Sequence, residues 1–245
     1  MKNELLYNSN NPIPFIEAQI EIHQPTINEI SLIGEKNFFI GCQVLTVSKN
    51  SLLISDKVVS ESYSNFDIFM SAMQSREKVE HKNSVNMVLS LLFPECTIKV
   101  TNNAILLASP RTSTRITAEN FDAFQDILKS MFDLGDFDMS LGNYDPYDER
   151  ARKIAEKLNK GKEKIAKSRG TDEEKDIAIF SRYISILSVG LQKDKNELLN
   201  YNVFQLKDEF KRFQKKQSFD VYVQAKMAGA QNLDEIDNWM DELHA

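Results

Sequence analysis

An α+β protein is expected, with a mixed amino-terminal domain over residues 15–132 and an all-helical carboxy-terminal domain over residues 146–245. Three observations point there. Apolar and polar residues alternate with a period of two just after the start, the mark of a strand with one wet face. Two apolar runs flank Asn102-Asn103, a dipeptide suited to the positive φ of a tight hairpin turn. Beyond residue 145 the apolar residues keep to helical spacing. A change from strand and hairpin signals to helical periodicity is the pattern of an α+β chain.

The elements follow in order. Residues 1–14 read as an extended arm, because Asn8-Ser9-Asn10-Asn11-Pro12-Ile13-Pro14 favours extended or turn backbone. Ile16, Ala18, Ile20 and Ile22 alternate with Glu17, Gln19, Glu21 and His23 and predict one strand. Residues 26–47 are mostly apolar and suggest a short helix followed by a longer one. Val85, Val88, Leu89 and Leu92 fall at i, i+3, i+4 and i+7, a helix that Pro94 stops. Residues 97–101 and 104–108 form the hairpin about Asn102-Asn103. Thr117 is the expected cap of a helix bearing Phe121, Phe124, Ile127, Leu128 and Met131.

Residues 133–145 read as an exposed acidic linker, with Asp133, Asp136, Asp138 and Asp145 and no basic residue. Asp145-Pro146 suits a helix start. Ile154, Leu158 and Ile165 mark a first helical face, and Thr171-Asp172-Glu173-Glu174 has the form of a capping box. The helix it opens carries Ile177, Phe180, Ile184, Leu187 and Leu191. Val203, Leu206, Phe210 and Phe213 mark a third helix, and Phe219, Tyr222, Val223 and Met227 a fourth that ends near Gly229. Leu233, Ile236, Met240 and Leu243 form the stripe of a last one.

Composition narrows the function. The chain has 245 residues, 42% hydrophobic and 27% charged, which are globular values and enough for a sizeable core. A net charge of −6 weighs against general binding to nucleic acid or anionic membrane. Cys42 and Cys96 stand alone, so neither a disulfide framework nor a zinc cluster is indicated, and a reducing cytoplasm suits them. No apolar run is long enough for a membrane span, and Met1-Lys2-Asn3-Glu4 opens no signal-type stretch, so a soluble intracellular protein is expected.

Catalytic constellations are missing from the sequence. His23, His81 and His244 share no HxxxH or HExxH spacing, and GxSxG, Walker and GxGxxG patterns are absent. Asp133, Asp136 and Asp138 do not match a calcium loop, so solvated charge is the better reading. The chain is not expected to be an enzyme, to hold a metal or to use a cofactor.

Two features could serve partners. Arg150, Arg152, Lys153, Lys157, Lys160, Lys162, Lys164, Lys167 and Arg169 face only Glu156 and Glu163. On a helix of roughly 28 Å this is a positive strip, open to three readings: a solvated or internally paired helix, a protein contact, or a nucleic-acid contact. They rank in that order, because charge runs are usually solvated and no aromatic residue is interleaved for base stacking. The second feature is the aromatic series Phe204, Phe210, Phe213, Phe219, Tyr222 and Trp239. Val203, Leu206, Phe210 and Phe213 read as core, whereas Trp239, beside Asp237, Asp241 and Glu242, suits a wet rim.

Several stretches resemble a family of tail assembly chaperones from long-tailed, siphovirus-type phages and prophages of Firmicutes. They are Ile13-Pro14-Phe15, Gln24-Pro25-Thr26-Ile27 with Glu29-Ile30, Val85 to Phe93, and Glu119-Asn120-Phe121-Asp122-Ala123-Phe124-Gln125. Ala155-Glu156-Lys157-Leu158 with Gly161-Lys162, Leu187-Ser188-Val189-Gly190, Val203-Phe204-Gln205-Leu206 and Asp237-Asn238-Trp239-Met240 continue the likeness to the end. It covers nearly the whole chain, though through hydrophobic signatures rather than a catalytic motif. The charged run Lys207-Asp208-Glu209-Phe210-Lys211-Arg212 departs from it, since more apolar residues are expected there.

The resemblance implies a chaperone that binds the aggregation-prone tape-measure protein until tail tube protein polymerises around it. It further implies a place in the host cytoplasm and absence from the mature virion. A structural tail or baseplate component is the alternative, and a nucleic-acid-binding accessory protein ranks behind it. The expected docking site is a groove bordered by Phe204, Phe219, Tyr222 and Trp239, with Arg152, Lys153, Lys157, Lys160 and Lys164 as a secondary electrostatic contact. Such rings give large contact area at low entropic cost. The oligomeric state is left open.

Overall fold

Residues 4–48, 63–74, 79–110, 112–134, 178–230, 236 and 238–240 are described by a computed structural model. Residues 1–134 and 178–245 fall into one compact unit, and residues 135–177, which lie outside the described set, into another. The fold is α+β. The expected 133–145 linker, the basic strip of residues 150–169 and the capping box of residues 171–174 lie almost wholly outside the described residues.

The chain opens with one helical turn, α1 (Glu4–Tyr7), where an extended arm was expected. Strands β1 (Ile13–Phe15) and β2 (Ile20–Ile22) then pair antiparallel, Ile13 opposite Ile22 and Phe15 opposite Ile20. The single strand expected over residues 16–22 is thus a turn followed by β2. Ile16–Ala18 is a 3-10 turn, and Gln19 takes a left-handed φ of 52°, which reverses the chain. Ile16 is 79% exposed, so its place in the alternation does not mark a buried face.

Helices α2 (Ile27–Ile33) and α3 (Glu35–Thr46) are the short and the longer helix expected over residues 26–47. Thr26 and Glu29 form a complete capping box at the start of α2, satisfying two otherwise orphaned amides. His23 joins it, with Nε2 3.1 Å from the Glu29 carboxylate. Helices α4 (Asn65–Gln74) and α5 (Val79–Leu92) follow, and α5 ends before Pro94 as its sequence requires.

Gly41 explains how closely α3 meets α5. A Cβ built there would lie 2.6 Å from the Ser84 carbonyl oxygen and 2.6 Å from Val88 Cγ2. The first of these is backbone and cannot rotate away. Gly41→Ala is therefore expected to destabilise the fold by about 1–3 kcal/mol, the usual cost of overpacking a core. Equilibrium denaturation measures it, and an unchanged midpoint would mean that α3 and α5 can part freely.

A three-stranded antiparallel sheet packs beside α5, in the order β3 (Thr97–Val100), β4 (Ile105–Ala108), β5 (Ser113–Ile116). The Asn102-Asn103 hairpin is present, closed by the Thr101 amide donating to the Ala104 carbonyl at 2.8 Å. Strand β5 was not expected from the sequence. Helix α6 (Phe121–Met131) follows with Phe121, Phe124, Leu128 and Met131 buried. Its cap position is Asn120 rather than Thr117. The Asn120 side chain instead accepts from the Thr117 amide at 2.7 Å.

The core is dominated by phenylalanine. Phe15 and Phe93 meet Phe124, Phe66 and Phe69 meet Phe121, and Phe38 meets Phe132 edge-on at 5.0 Å. Helix α7 (Ile179–Leu191) closes this core, burying Phe180, Ile184 and Leu187. Phe180 lies 5.1 Å from Phe39 and 5.8 Å from Phe38, ring centre to ring centre. The Glu35 carboxylate accepts from the Phe180 and Ser181 amides at 3.0 Å each, capping α7 from across the unit.

Helix α8 (Lys195–Leu199) is capped by Asp194, and α9 (Val203–Met227) runs unbroken for 25 residues. Two helices were expected in its place. Its end matches the sequence: Gly229 takes a φ of 84°, the left-handed step that suits glycine after a helix. Helices α7 to α9 share their unit with the amino-terminal elements. Thr26 and Asn202 form an isolated bridge between the two parts, and the Ile27 amide donates to the Tyr201 carbonyl at 2.9 Å.

Candidate protein-docking surface

Helix α9 changes character along its length of about 37 Å, and the change starts from a firm anchorage. Asn202 and Gln205 form a capping box at its first turn. The Asn202 side-chain amide also donates to the carbonyls of Tyr7 and Ser9, both at 2.9 Å. Gln24, fully buried, donates to the carbonyls of Leu6, Ser9 and Asn11 at 2.7–3.0 Å. Two buried carboxamides therefore strap the amino-terminal segment over the start of α9, pairing carbonyls that would otherwise be lost from water.

The first turns are core. Val203, Phe204 and Leu206 are buried, and the Phe204 ring lies 5.7 Å from that of Tyr7. Phe204 was expected to border a docking groove; at 6% exposure it belongs to the interior instead. It is also separated from Tyr222 by about 27 Å of helix, too far to border one groove with it.

The charged run of residues 207–212 has a structural role in the next two turns. Lys207 Nζ donates to the Phe132 carbonyl at 2.9 Å and the Asp133 carbonyl at 3.0 Å, at the end of α6. Lys211 pairs with the Asp133 carboxylate. A cation at a helix carboxy-terminus meets the negative end of the dipole. Burial nonetheless pushes the Lys207 ammonium down to about 8, because a low-dielectric site disfavours the charged form.

On the neighbouring face α9 lies against α7. Phe210 stacks on Tyr183 with ring centres 3.9 Å apart, and burial raises the Tyr183 phenol. Phe213 sits where a Cβ on Gly190 would fall 2.3 Å from its ring, so glycine is what lets the ring reach α7. Phe210 and Phe213, both expected in the core, are half-buried in this seam.

Beyond residue 214 the helix turns outward. Phe219, Tyr222 and Val223 are half-buried, while Val221 is 63% and Met227 84% exposed. Trp239 is half-buried, and its carbonyl accepts from Arg212 Nη1 at 3.1 Å, which brings this residue alongside α9. Arg212 and Phe219 are seven residues apart and so share a face. Met240 at 67% and Ile236 at 42% exposed add apolar surface. Trp239 thus has the half-wet position that the sequence suggested for it, and Phe219 and Tyr222 are half-buried on α9.

Cations edge this surface. Lys226 Nζ lies 5.5 Å from the Tyr222 ring centre, and Lys216 pairs with Asp220 at 3.0 Å. The sequence reading placed the basic contact at Arg152, Lys153, Lys157, Lys160 and Lys164, all outside the described residues. On α9 itself, Lys215, Lys216 and Lys226 are further cations near the aromatic residues, the first two within the basic run of residues 211–216. The arrangement offers an amphipathic ridge with basic edges, suited to covering an apolar helix of a partner. Among the described residues no cluster of His, Cys, Asp and Glu is placed to hold a metal ion, and no helix is long and apolar enough to cross a membrane.

Residues 171–244 match the model of the YomV second domain, which belongs to a phage-associated protein family. The matched stretch contains α7, α8, α9 and Trp239. No curated protein and no solved structure matches the chain.

Proposed function

We propose that this chain is a phage tail assembly chaperone that binds the tape-measure protein during tail morphogenesis, in the host cytoplasm and outside the finished virion. The observation that supports this reading most is the exposed amphipathic half of α9, bearing Phe219, Tyr222, Val221 and Met227, within a stretch similar to a phage-associated domain. A tape-measure protein must be kept from self-association through its apolar helix stripes until tube protein surrounds it. A surface of half-buried rings edged by lysines can cover such a stripe and remain soluble. On this reading the protein acts by binding, with no catalytic step, cofactor or metal.

Co-expression with the tape-measure protein tests the site. Tyr222→Ala and Trp239→Ala should each weaken the complex by about 1–3 kcal/mol, as truncated interface anchors do, and leave the thermal midpoint nearly unchanged. Full binding by both variants would remove this face from the interface. Two further roles remain distinguishable. A structural tail or baseplate component would be present in particles, and a nucleic-acid accessory protein would lose binding steeply with rising salt.

A further inference from the structure

We propose that the free edge of β3 is a second docking site, which takes up a short extended segment rich in carboxylates by adding it as a fourth strand. The sheet has two edges, β3 and β5. One is partly taken: on β5 the outward Arg115 carbonyl accepts from the Asn120 side-chain amide at 3.2 Å, and Thr114 Oγ1 donates to the Ala18 carbonyl of the 3-10 turn at 2.7 Å. The other is open among the described residues.

The hairpin register fixes which groups it offers. Thr101 bonds to Ala104 across the turn, and Lys99 stands opposite Leu106 and Thr97 opposite Ala108. Bonded and non-bonded pairs alternate in an antiparallel ladder. Ile98 and Val100 are therefore the non-bonded positions, and their amides and carbonyls point away from β4. Such groups are a ready template for a further strand.

Beside this edge runs an open trough of about 720 Å³ between β3 and helices α4 and α5, lined by Met70, Met73, Lys82, Asn86, Ile98 and Lys99 among others. The two methionines give it an adaptable apolar floor. Among the described residues its lining cations are Lys82 and Lys99, neither has an ion-pair partner there, and no Asp or Glu joins them. A strand laid here would place one set of side chains over the methionines and the alternate set near ammonium groups. The chemistry selected is an extended segment alternating apolar residues with carboxylates.

A second copy of the chain is the less suitable occupant. An antiparallel pairing of two β3 strands that uses both Ile98 and Val100 puts Lys99 directly opposite its own copy. Like charges at that position oppose pairing, and an edge lysine is a common guard against self-association.

The test is a nuclear magnetic resonance titration of the full chain, labelled with ¹⁵N, using blocked eight-residue peptides. One peptide alternates valine with glutamate, and the control alternates valine with lysine. The glutamate peptide should shift the amides of residues 97–101, slow hydrogen exchange at Ile98 and Val100, and bind at least about tenfold more tightly than the control. Lys82→Glu with Lys99→Glu should reverse that preference. Val100→Pro removes one outward donor at a position where an edge strand tolerates proline; it should abolish binding and leave the β4–β5 resonances in place. Equal binding of the two peptides, or shifts centred away from β3, would overturn the proposal. So would concentration-dependent shifts of β3 without peptide, since they would assign the edge to a second copy.

Discussion

Phe180→Ala is expected to destabilise the protein by about 3–5 kcal/mol, the range for a large ring removed from a packed core. The position warrants the upper part of that range. Phe180 is 1% exposed and contacts both Phe38 and Phe39 of α3. Its own amide is held by Glu35, so loss of the ring also loosens a helix cap that spans 145 residues of sequence. Because α7 supports α9 through Tyr183–Phe210 and Gly190–Phe213, the α9 amides should lose exchange protection in the same variant. Urea denaturation with hydrogen exchange measures both effects. A change below about 1 kcal/mol would mean that the carboxy-terminal helices do not share the amino-terminal core.

The second large effect is a pH dependence set by Lys207. Its ammonium is depressed from the ordinary 10.5 to about 8, chiefly by burial, with Lys211 adding to the fall and Asp133 opposing it. In the unfolded chain the same group keeps its proton to about 10.5, so between these values the unfolded state binds more protons. Stability contributed at this site therefore rises with pH across the window from about 8 to 10.5, and the burial penalty is constant below it. The full rise is about 3 kcal/mol. Lys207→Met should remove this rise, although it leaves the Phe132 and Asp133 carbonyls without their donor. Denaturation of both proteins at pH 7.5 and pH 10 isolates the difference. Equal pH dependence in the two would place the Lys207 ammonium in water.

Local patterns were legible where local physics decides the structure. The α2 and α3 pair, the Asn102-Asn103 hairpin, and the Phe180, Ile184, Leu187 stripe all follow from turn chemistry or helical spacing. Failures arose where a distant partner or a single backbone angle decided. The alternation of residues 16–22 conceals the left-handed Gln19 that splits it into a turn and a strand. Helix α9 was read as two because Gln214, Lys216, Gln217 and Ser218 interrupt the apolar stripe; they face solvent and leave the helix unbroken. The run at residues 207–212 looked misplaced because its partners, Phe132 and Asp133, are some 75 residues away.

The candidate site was partly legible for the same reasons. The half-exposed place of Trp239 could be read from its acidic neighbours Asp237, Asp241 and Glu242. Phe204 could not be excluded from the expected groove, because its burial depends on Tyr7 at the opposite end of the chain. The basic edge formed by Lys215, Lys216 and Lys226 becomes meaningful only once α9 is known to be continuous.

The central claim is that the chain serves tail assembly without entering the tail. Quantitative mass spectrometry of purified virions tests it most directly. A chaperone should be absent from the particles while being recovered with the tape-measure protein from the lysate that produced them. Recovery from virions in fixed copy number would contradict the account and make the protein a structural part of the tail.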